Sequence, residues 1–418
     1  MPNLKPVWSF LLNKRTILVI YIALAIIASI QMITPGKHMF TLAGTERHKN
    51  DIALNPAILH IFEGKEYTDY NNYVLFRQSY FHLLSGKDLY TFYPDEQWDL
   101  YKYSPTFALL FGSFAYLPDI VGLPLWNILN ALVLFAALWM LPFKNRDKSL
   151  LLWFVLLELL TSMQNAQSNG LLAGLMIAAY GCLQRGKAQW ATLWLVMAAF
   201  IKIYGAIGFC LFLFYPDKIK FIVYSIIWTV IFLILPLLVT PFHTLIAQYQ
   251  SWVHVLGADE AASYGLSVMG WLHSWFGLNK GKNLVMLLGV IIFLLPLVRW
   301  RLYTDDVFRM QMLASMLIWV IIFNHKAESP TFIIAVAGVG IWYFVHNREP
   351  WRTVMLWVVL VGTCLTPSDI FPGWLKSNVF VPYAIKALPC IIMWCIISIE
   401  LMTMQKKNPF KAYQNIIN

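Results

Sequence analysis

The sequence predicts an all-α polytopic membrane protein with about 12 transmembrane helices. Of its 418 residues, 59% are hydrophobic and only 12% are charged, a composition that soluble globular domains do not show. A membrane-spanning helix needs about 20 apolar residues, so the chain has room for roughly a dozen. The net charge of +10 is dispersed in short basic clusters between apolar runs. Such clusters are typical of cytoplasmic membrane-protein loops and argue against nucleic acid as a partner.

Successive apolar runs are each predicted to form a helix, and together they make residues 1–418 a single integral membrane domain. The basic start of the chain leads into the first run without a small-residue cleavage site, which favours a retained first helix over a cleaved signal. The runs are 16–33, 121–142, 149–163, 168–184, 188–201, 203–215, 220–238, 282–298, 307–323, 331–346, 352–366 and 379–404.

The basic clusters lie between alternate runs, on the side of the N-terminus. Under the positive-inside rule this pattern predicts a multi-pass protein of the cell inner (plasma) membrane with both termini cytoplasmic. The clusters are Lys144/Arg146/Lys148, Arg185/Lys187, Lys218/Lys220, Arg299/Arg301, Arg348/Arg352 and Lys406/Lys407/Lys411.

Residues 34–120 are predicted to form a first extracytoplasmic loop that contains interfacial helices. Asp69 precedes an apolar helical stripe that Gly86 ends, and densely spaced aromatic residues follow, as in segments at a membrane–water interface. The apolar segment 104–117 is too short to span comfortably, so we expect it to lie in the interface.

Polar residues of mixed chemistry concentrate in the loops predicted to face outward. These loops are the turn 164–169, the second extracytoplasmic loop 239–281 and the turn 324–330. The cytoplasmic turns, by comparison, are short and basic. We therefore expect the active face to be extracytoplasmic.

Asp69 and Lys202 each have two interpretations. Asp69 is either a helix N-cap or a general base for an acceptor hydroxyl, and a capping carboxylate could also serve as the base. Lys202 either reaches the interface or pairs with Glu158 in a neighbouring run, or it neutralises the phosphate of a lipid carrier.

The two short polar turns are open to a structural and a functional interpretation. Gln164, Asn165, Gln167 and Asn169 could satisfy a tight turn, or their amides could bind sugar hydroxyls. The turn at 325–328 could be a solvated charged turn. The sequence contains no HExxH, P-loop, GxSxG or CxxC motif.

A series of short motifs spans roughly residues 67–335. They are Asp69-x3-Tyr73, Leu84-x-Gly86 then Leu89-Tyr90, Tyr103-Ser104-Pro105, Leu117-Pro118, Leu125-Trp126, Gln167-Ser168-Asn169-Gly170, Lys202 and Glu328-Ser329-Pro330. In these motifs the sequence resembles glycosyltransferase family 87, a group of GT-C fold membrane enzymes similar to polyprenol-phosphate-mannose-dependent mannosyltransferases.

This resemblance implies an inverting, metal-independent transfer of a hexose, mannose first, with no cofactor. The donor would be a polyprenyl-phosphate sugar and the acceptor a glycolipid or glycan at the outer face of the lipid bilayer. The family's catalytic Asp maps onto Asp69, with Asp88, Asp95, Asp99 and Glu328 as alternatives.

The expected site combines these residues. Lys202, His325 and Lys326 are expected at the donor phosphate. The sugar or the acceptor is expected to contact Asn72, Tyr73, Tyr103, Gln164, Gln167, Asn169 and Glu328.

Two other functions remain as alternatives. One is a flippase or transporter for a lipid-linked glycan, although no internal repeat between the two halves favours it. The other is a non-catalytic subunit of surface-polysaccharide assembly.

Overall fold

The computed structural model describes residues 5–34, 61, 64–258 and 264–405, and within them all regular secondary structure is helical. Each predicted apolar run contains a helix. The α-helices of seven or more residues are α1 (Lys5–Leu11), α2 (Lys14–Ile33), α3 (Asn71–Leu84), α4 (Pro105–Ala115), α5 (Asp119–Met140), α6 (Asn145–Met163), α7 (Asn169–Leu183), α8 (Ala188–Ile201), α9 (Lys218–Ile234), α10 (Phe242–Ala258), α11 (Val268–Phe276), α12 (Lys282–Leu294), α13 (Asp306–Ile322), α14 (Phe332–Val345), α15 (Pro350–Val359) and α16 (Leu388–Thr403).

Four helical segments in the described part of the chain are long and apolar enough to cross a membrane. They are Lys14–Ile33, Asp119–Met140, Lys218–Leu238 and Ile385–Thr403. The other apolar helices are shorter, and one of them, Ile203–Phe214, is a 3₁₀ helix. The all-α architecture is confirmed, whereas the count of about 12 crossings stays a prediction.

Several of the turns that carry basic clusters lie together at one end of the helices. Asp147 forms an ion pair with Arg348. The Ser149 hydroxyl donates to the Leu12 carbonyl at 2.7 Å, and the Arg299 guanidinium donates to the Met402 carbonyl at 2.6 Å. We call this end of the molecule the basic end.

The polar loops lie together at the opposite end. Helix α6 leads there from the basic end, since it runs from the Lys144 turn to the Gln164 turn over about 28 Å. The Asn72 amide donates to the Asn165 carbonyl at 2.9 Å, and the Leu266 N–H donates to the Ala327 carbonyl at 2.8 Å. We call this the loop end. The division into two ends agrees with the charge pattern; which end faces the cytoplasm stays a prediction.

The first predicted loop, 34–120, packs against the second, 239–281. Gln248 of α10 donates to the Lys87 carbonyl at 2.7 Å, and Trp252 donates to the Lys102 carbonyl at 3.0 Å. Within the first loop, residues 35–60, 62 and 63 lie outside the described residues.

Helix α4 corresponds to the short segment that sequence reasoning placed in the interface. It has 11 residues and is about 16 Å long, too short to cross a membrane on its own. Its N-cap, Ser104, donates to the Phe200 carbonyl at the end of α8, and Thr106 donates to the Phe232 carbonyl of α9. These contacts fix the start of α4 beside the end of α8.

An aromatic cluster joins α3, α4 and α5. The Phe76 ring makes edge-on contacts with Tyr103 at 4.8 Å, Phe107 at 5.2 Å and Trp126 at 5.8 Å between ring centroids. Edge-on aromatic pairs stabilise a fixed geometry beyond their area burial. Because Tyr103 belongs to this cluster, its position at the loop end is fixed by packing.

Candidate active site at the loop end

The turn between α6 and α7 is held by contacts with α5 and α2. The Trp126 indole donates to the Ala166 carbonyl at 2.9 Å, and the Gln164 amide donates to Gln31 of α2 at 3.0 Å. Ala166 has a φ of 48°, a left-handed conformation that is uncommon outside glycine. The surrounding contacts therefore fix residues 164–166. Gln167 and Asn169 follow, and their side chains reach Lys202 at the end of α8.

Lys202 lies where α8 ends, and its ammonium group is bound by two amide oxygens of that turn. The Lys202 Nζ donates to Asn169 Oδ1 at 2.8 Å and to Gln167 Oε1 at 3.2 Å. It also lies 5.7 Å from the centre of the Tyr103 ring and 5.8 Å from that of Tyr204. An ammonium has three N–H donors. In Lys202, two of these donors form hydrogen bonds to described residues.

Glu328 completes this group from the third polar loop. The Gln167 amide donates to Glu328 Oε2 at 3.3 Å, and the Asn169 amide donates to the Pro330 carbonyl at 3.0 Å. The structure thus brings together five of the residues predicted from the sequence. We call them the lysine cluster: Tyr103, Gln167, Asn169, Lys202 and Glu328.

The suggested ion pair between Lys202 and Glu158 is wrong. Glu158 instead pairs with Lys386, whose Nζ lies 2.7 Å from Glu158 Oε1, and both side chains are buried. Lys202 instead donates to neutral amide oxygens. Its positive charge is therefore not cancelled by a direct carboxylate contact with Glu158.

Tyr103 contributes a neutral phenol to the cluster. Burial raises its pKa well above the usual range, and the neighbouring Tyr204, Glu328 and Asp99 shift it in the same direction. Tyr204 was missed by sequence reasoning, although its position two residues after Lys202 was a usable signal. Its buried hydroxyl has no hydrogen-bond partner among the described residues.

His325 and Lys326 precede Glu328 in the same turn. Both are half-buried, and the Lys326 N–H donates to the Asn324 side chain at 2.9 Å. Gly265, in the predicted second loop, packs against this turn, since a Cβ there would lie 2.5 Å from the His325 carbonyl oxygen. The turn is thereby held against the second loop, next to the lysine cluster.

Asp69 does not cap α3, so the capping interpretation is wrong. The N-cap position is Tyr70, and no side chain caps the helix there. Asp69 is half-buried and forms no hydrogen bond or ion pair with any described residue. The contact of Asn72 with the Asn165 carbonyl ties the start of α3 to the turn that holds Lys202.

Tyr73 and Gln164 have partners of their own. The Tyr73 hydroxyl donates to the Phe114 carbonyl at 3.3 Å, and the ring is fully buried. Gln164 donates to Gln31, as described above. To bind a sugar, either residue would have to exchange its partner.

The alternative carboxylates divide into two groups. Asp95 is exposed and pairs with Lys65 at 2.7 Å, and Asp88 accepts from the Tyr90 N–H and the Ser251 hydroxyl. Asp99 and Glu328, in contrast, both lie near Tyr103. Among the residues that the structure describes, no group of three or more His, Cys, Asp or Glu side chains is placed to hold a metal ion.

A family model matches the part of the chain that carries four of the five residues of the lysine cluster. The model of glycosyltransferase family 87 matches residues 101–323, more than half of the chain. The chain belongs to glycosyltransferase family 87. It is therefore a membrane glycosyltransferase of the GT-C type, as the motifs predicted. A search of curated proteins found no significant match.

The match covers only part of the expected site. Tyr103, Gln167, Asn169 and Lys202 lie inside the matched residues of this family 87 enzyme, whereas Asp69 and the turn 325–328 lie outside. The role of Asp69 consequently rests on the resemblance of the first-loop motif and on its position in the structure.

Proposed function

We propose that this family 87 enzyme transfers a hexose, with mannose as the first candidate, from a polyprenyl-phosphate donor to a hydroxyl group of a glycolipid or glycan. The observation that carries the proposal is the geometry of Lys202. Two amide oxygens hold its ammonium at the loop end, beside two tyrosine rings. Its third N–H donor has no partner among the described residues and could donate to a bound anion. A lipid-linked phosphate at the membrane surface is an anion that suits such a site.

Lys202 would bind the phosphate of the donor, with His325 and Lys326 contributing from the adjacent turn. The bond between the anomeric carbon and the phosphate oxygen breaks during transfer, so negative charge grows on that phosphate. A fixed cation beside the leaving group stabilises the transition state more than the ground state.

Asp69 would act on the acceptor. As the acceptor oxygen bonds to the anomeric carbon from the side opposite the phosphate, Asp69 takes the hydroxyl proton, and the configuration at that carbon inverts. Hydrogen-bonding groups for the sugar hydroxyls would come from Asn72, Tyr103, Gln167, Asn169 and Glu328.

In the proposed topology, residues 1–418 form one membrane domain, both termini are cytoplasmic and the loop end faces outward. We expect a membrane-impermeant thiol reagent to label a cysteine at position 95 in intact cells, and one at position 146 only after permeabilisation. Both side chains are exposed, and the five native cysteines would first be replaced by serine. Labelling of position 146 from outside would reverse the orientation.

The enzymatic proposal is tested with the purified full chain in lipid. The donors are radiolabelled polyprenyl-phosphate-mannose, the corresponding glucose compound and a nucleotide sugar, and the products are separated by thin-layer chromatography. We expect label to move from a polyprenyl-phosphate sugar to a more polar lipid or glycan. Transfer from the nucleotide sugar alone would overturn the donor class. Movement of intact donor across the bilayer without transfer would favour the flippase.

Replacing Lys202 by Gln should raise the donor KM by roughly 10- to 100-fold, because a charged hydrogen bond to the phosphate is lost. Lys202→Arg should retain part of the affinity, since a cation remains. Steady-state kinetics with varied donor concentration measures both. An unchanged KM with reduced thermal stability would instead mean that Lys202 only holds the turn together.

A further inference from the structure

A groove of about 400 Å³ lies at the basic end, at the opposite end of α7 and α8 from the lysine cluster. It is formed where α7 turns into α8, against the end of α5. Its volume falls within the range of about 300–1,000 Å³ that is typical of small-molecule sites. The lining residues are Met140, Cys182, Arg185, Lys187, Trp190 and Trp194.

The mouth of the groove is positively charged. The Arg185 guanidinium is fixed by the Gly181 carbonyl at 2.6 Å and the Met140 carbonyl at 2.7 Å, which leaves three of its five N–H donors for another molecule. Lys187 is exposed, and its ammonium has no partner among the described residues. No acidic side chain lines the described groove.

Further cations lie next to the groove. The ammonium groups of Lys14 and Lys148 lie 4.9 Å and 5.6 Å from the centre of the Trp139 ring, and Trp139 precedes the groove residue Met140. Asp147, the carboxylate next to Lys148 in the chain, forms an ion pair with Arg348. Asp147 is therefore paired with Arg348, which does not line the groove.

The wall of the groove is aromatic and exposed at the surface of the protein. The rings of Trp190 and Trp194 stack with their centroids 6.1 Å apart, and Trp190 is 48% exposed. Tryptophan prefers the boundary between lipid headgroups and acyl chains. An aromatic wall below a basic mouth matches a molecule with an anionic head and a hydrocarbon tail.

We propose that this groove binds an anionic phospholipid of the surrounding bilayer. The phosphate contacts Arg185 and Lys187, and an acyl chain lies along Trp190 and Trp194. Basic pockets between membrane helices select anionic headgroups in this way. The site is separate from the proposed sugar transfer and does not depend on it.

Native mass spectrometry of the full-length protein in detergent tests the proposal. Phosphatidylglycerol and phosphatidylcholine with identical acyl chains are added in steps, and retention of each lipid is compared between wild type and Arg185→Gln/Lys187→Gln. We expect wild type to prefer phosphatidylglycerol. The double variant should lose that preference by roughly fivefold for each charge removed, about 25-fold in all.

Arg301→Gln is the matched control, because Arg301 is an exposed cation of the basic end outside the groove, stacked on Trp300. It should retain the preference. An equal loss in Arg301→Gln, or equal retention of both lipids by wild type, would overturn the proposal. If the double variant does not fold, Lys187→Glu serves instead, since the Lys187 ammonium has no hydrogen-bond or ion-pair partner among the described residues. An unchanged preference there would also count against the site.

Discussion

Asp69→Asn should lower the turnover of the enzyme by about 10²–10⁴-fold, the usual contribution of a general base. Asparagine has nearly the same size and still hydrogen-bonds, but it cannot accept the proton of the acceptor hydroxyl. The donor KM should change little, because the proposed base contacts the acceptor and Lys202 contacts the donor. Single-turnover measurements with a saturating labelled donor separate this loss from slow product release.

The thermal stability of both Asp69→Asn and Asp69→Ala should stay near that of wild type. Asp69 forms no hydrogen bond or ion pair with a described residue and does not cap α3, so neither substitution removes a hydrogen bond or an ion pair among the described residues. Substitutions of partly exposed side chains that break no such bond usually change stability by about 0.5 kcal/mol or less. A cap would have given a different pattern, with alanine less stable than asparagine.

Asp95→Asn is the matched control for Asp69→Asn. Asp95 lies in the same predicted loop and is 89% exposed, in an ion pair with Lys65. It should keep nearly full activity. If Asp69→Asn proves active, the base is to be sought at Asp99 and Glu328, which lie near Tyr103 in the described structure.

Local sequence patterns predicted the helices well. The apolar stripe from Tyr73 to Leu84 became α3, and Gly86, with a φ of 70°, follows its end as expected. The signal is reliable because the helical period and the left-handed glycine are local properties of the chain. The same signal cannot separate an α-helix from the 3₁₀ helix at Ile203–Phe214, since both bury apolar residues in a short run.

Pairings between helices were harder to predict. Sequence reasoning connected Lys202 to Glu158 because both are charges in neighbouring apolar runs. In the structure α8 ends just before Lys202, beside the 164–169 turn, so the amides of that turn receive its ammonium. The true partner of Glu158, Lys386, is 228 residues away along the chain. No periodic pattern records a contact of that kind; it follows from how the helices pack.

The Glu158–Lys386 pair fixes α6, which leads into the turn that holds Lys202. Glu158 is 0% exposed and the Lys386 side chain 5%. The Lys386 carbonyl also accepts a hydrogen bond from Thr363 at 2.9 Å, so the pair joins α6 to the C-terminal helices. A buried charge that loses its partner is costly because water cannot solvate it.

Lys386→Met should therefore destabilise the protein by about 3–5 kcal/mol, measured as a fall in thermal unfolding temperature in detergent by tryptophan fluorescence. Adding Glu158→Gln should recover most of that loss, because the double variant no longer holds an unpaired buried charge. As a control, Asp147→Asn/Arg348→Gln removes an ion pair whose side chains are 21% and 40% exposed, and it should cost about 1 kcal/mol or less. A double variant no more stable than Lys386→Met alone would show that the Lys386 side chain acts through packing, for example against the Phe332 ring 5.5 Å away, and not through its charge.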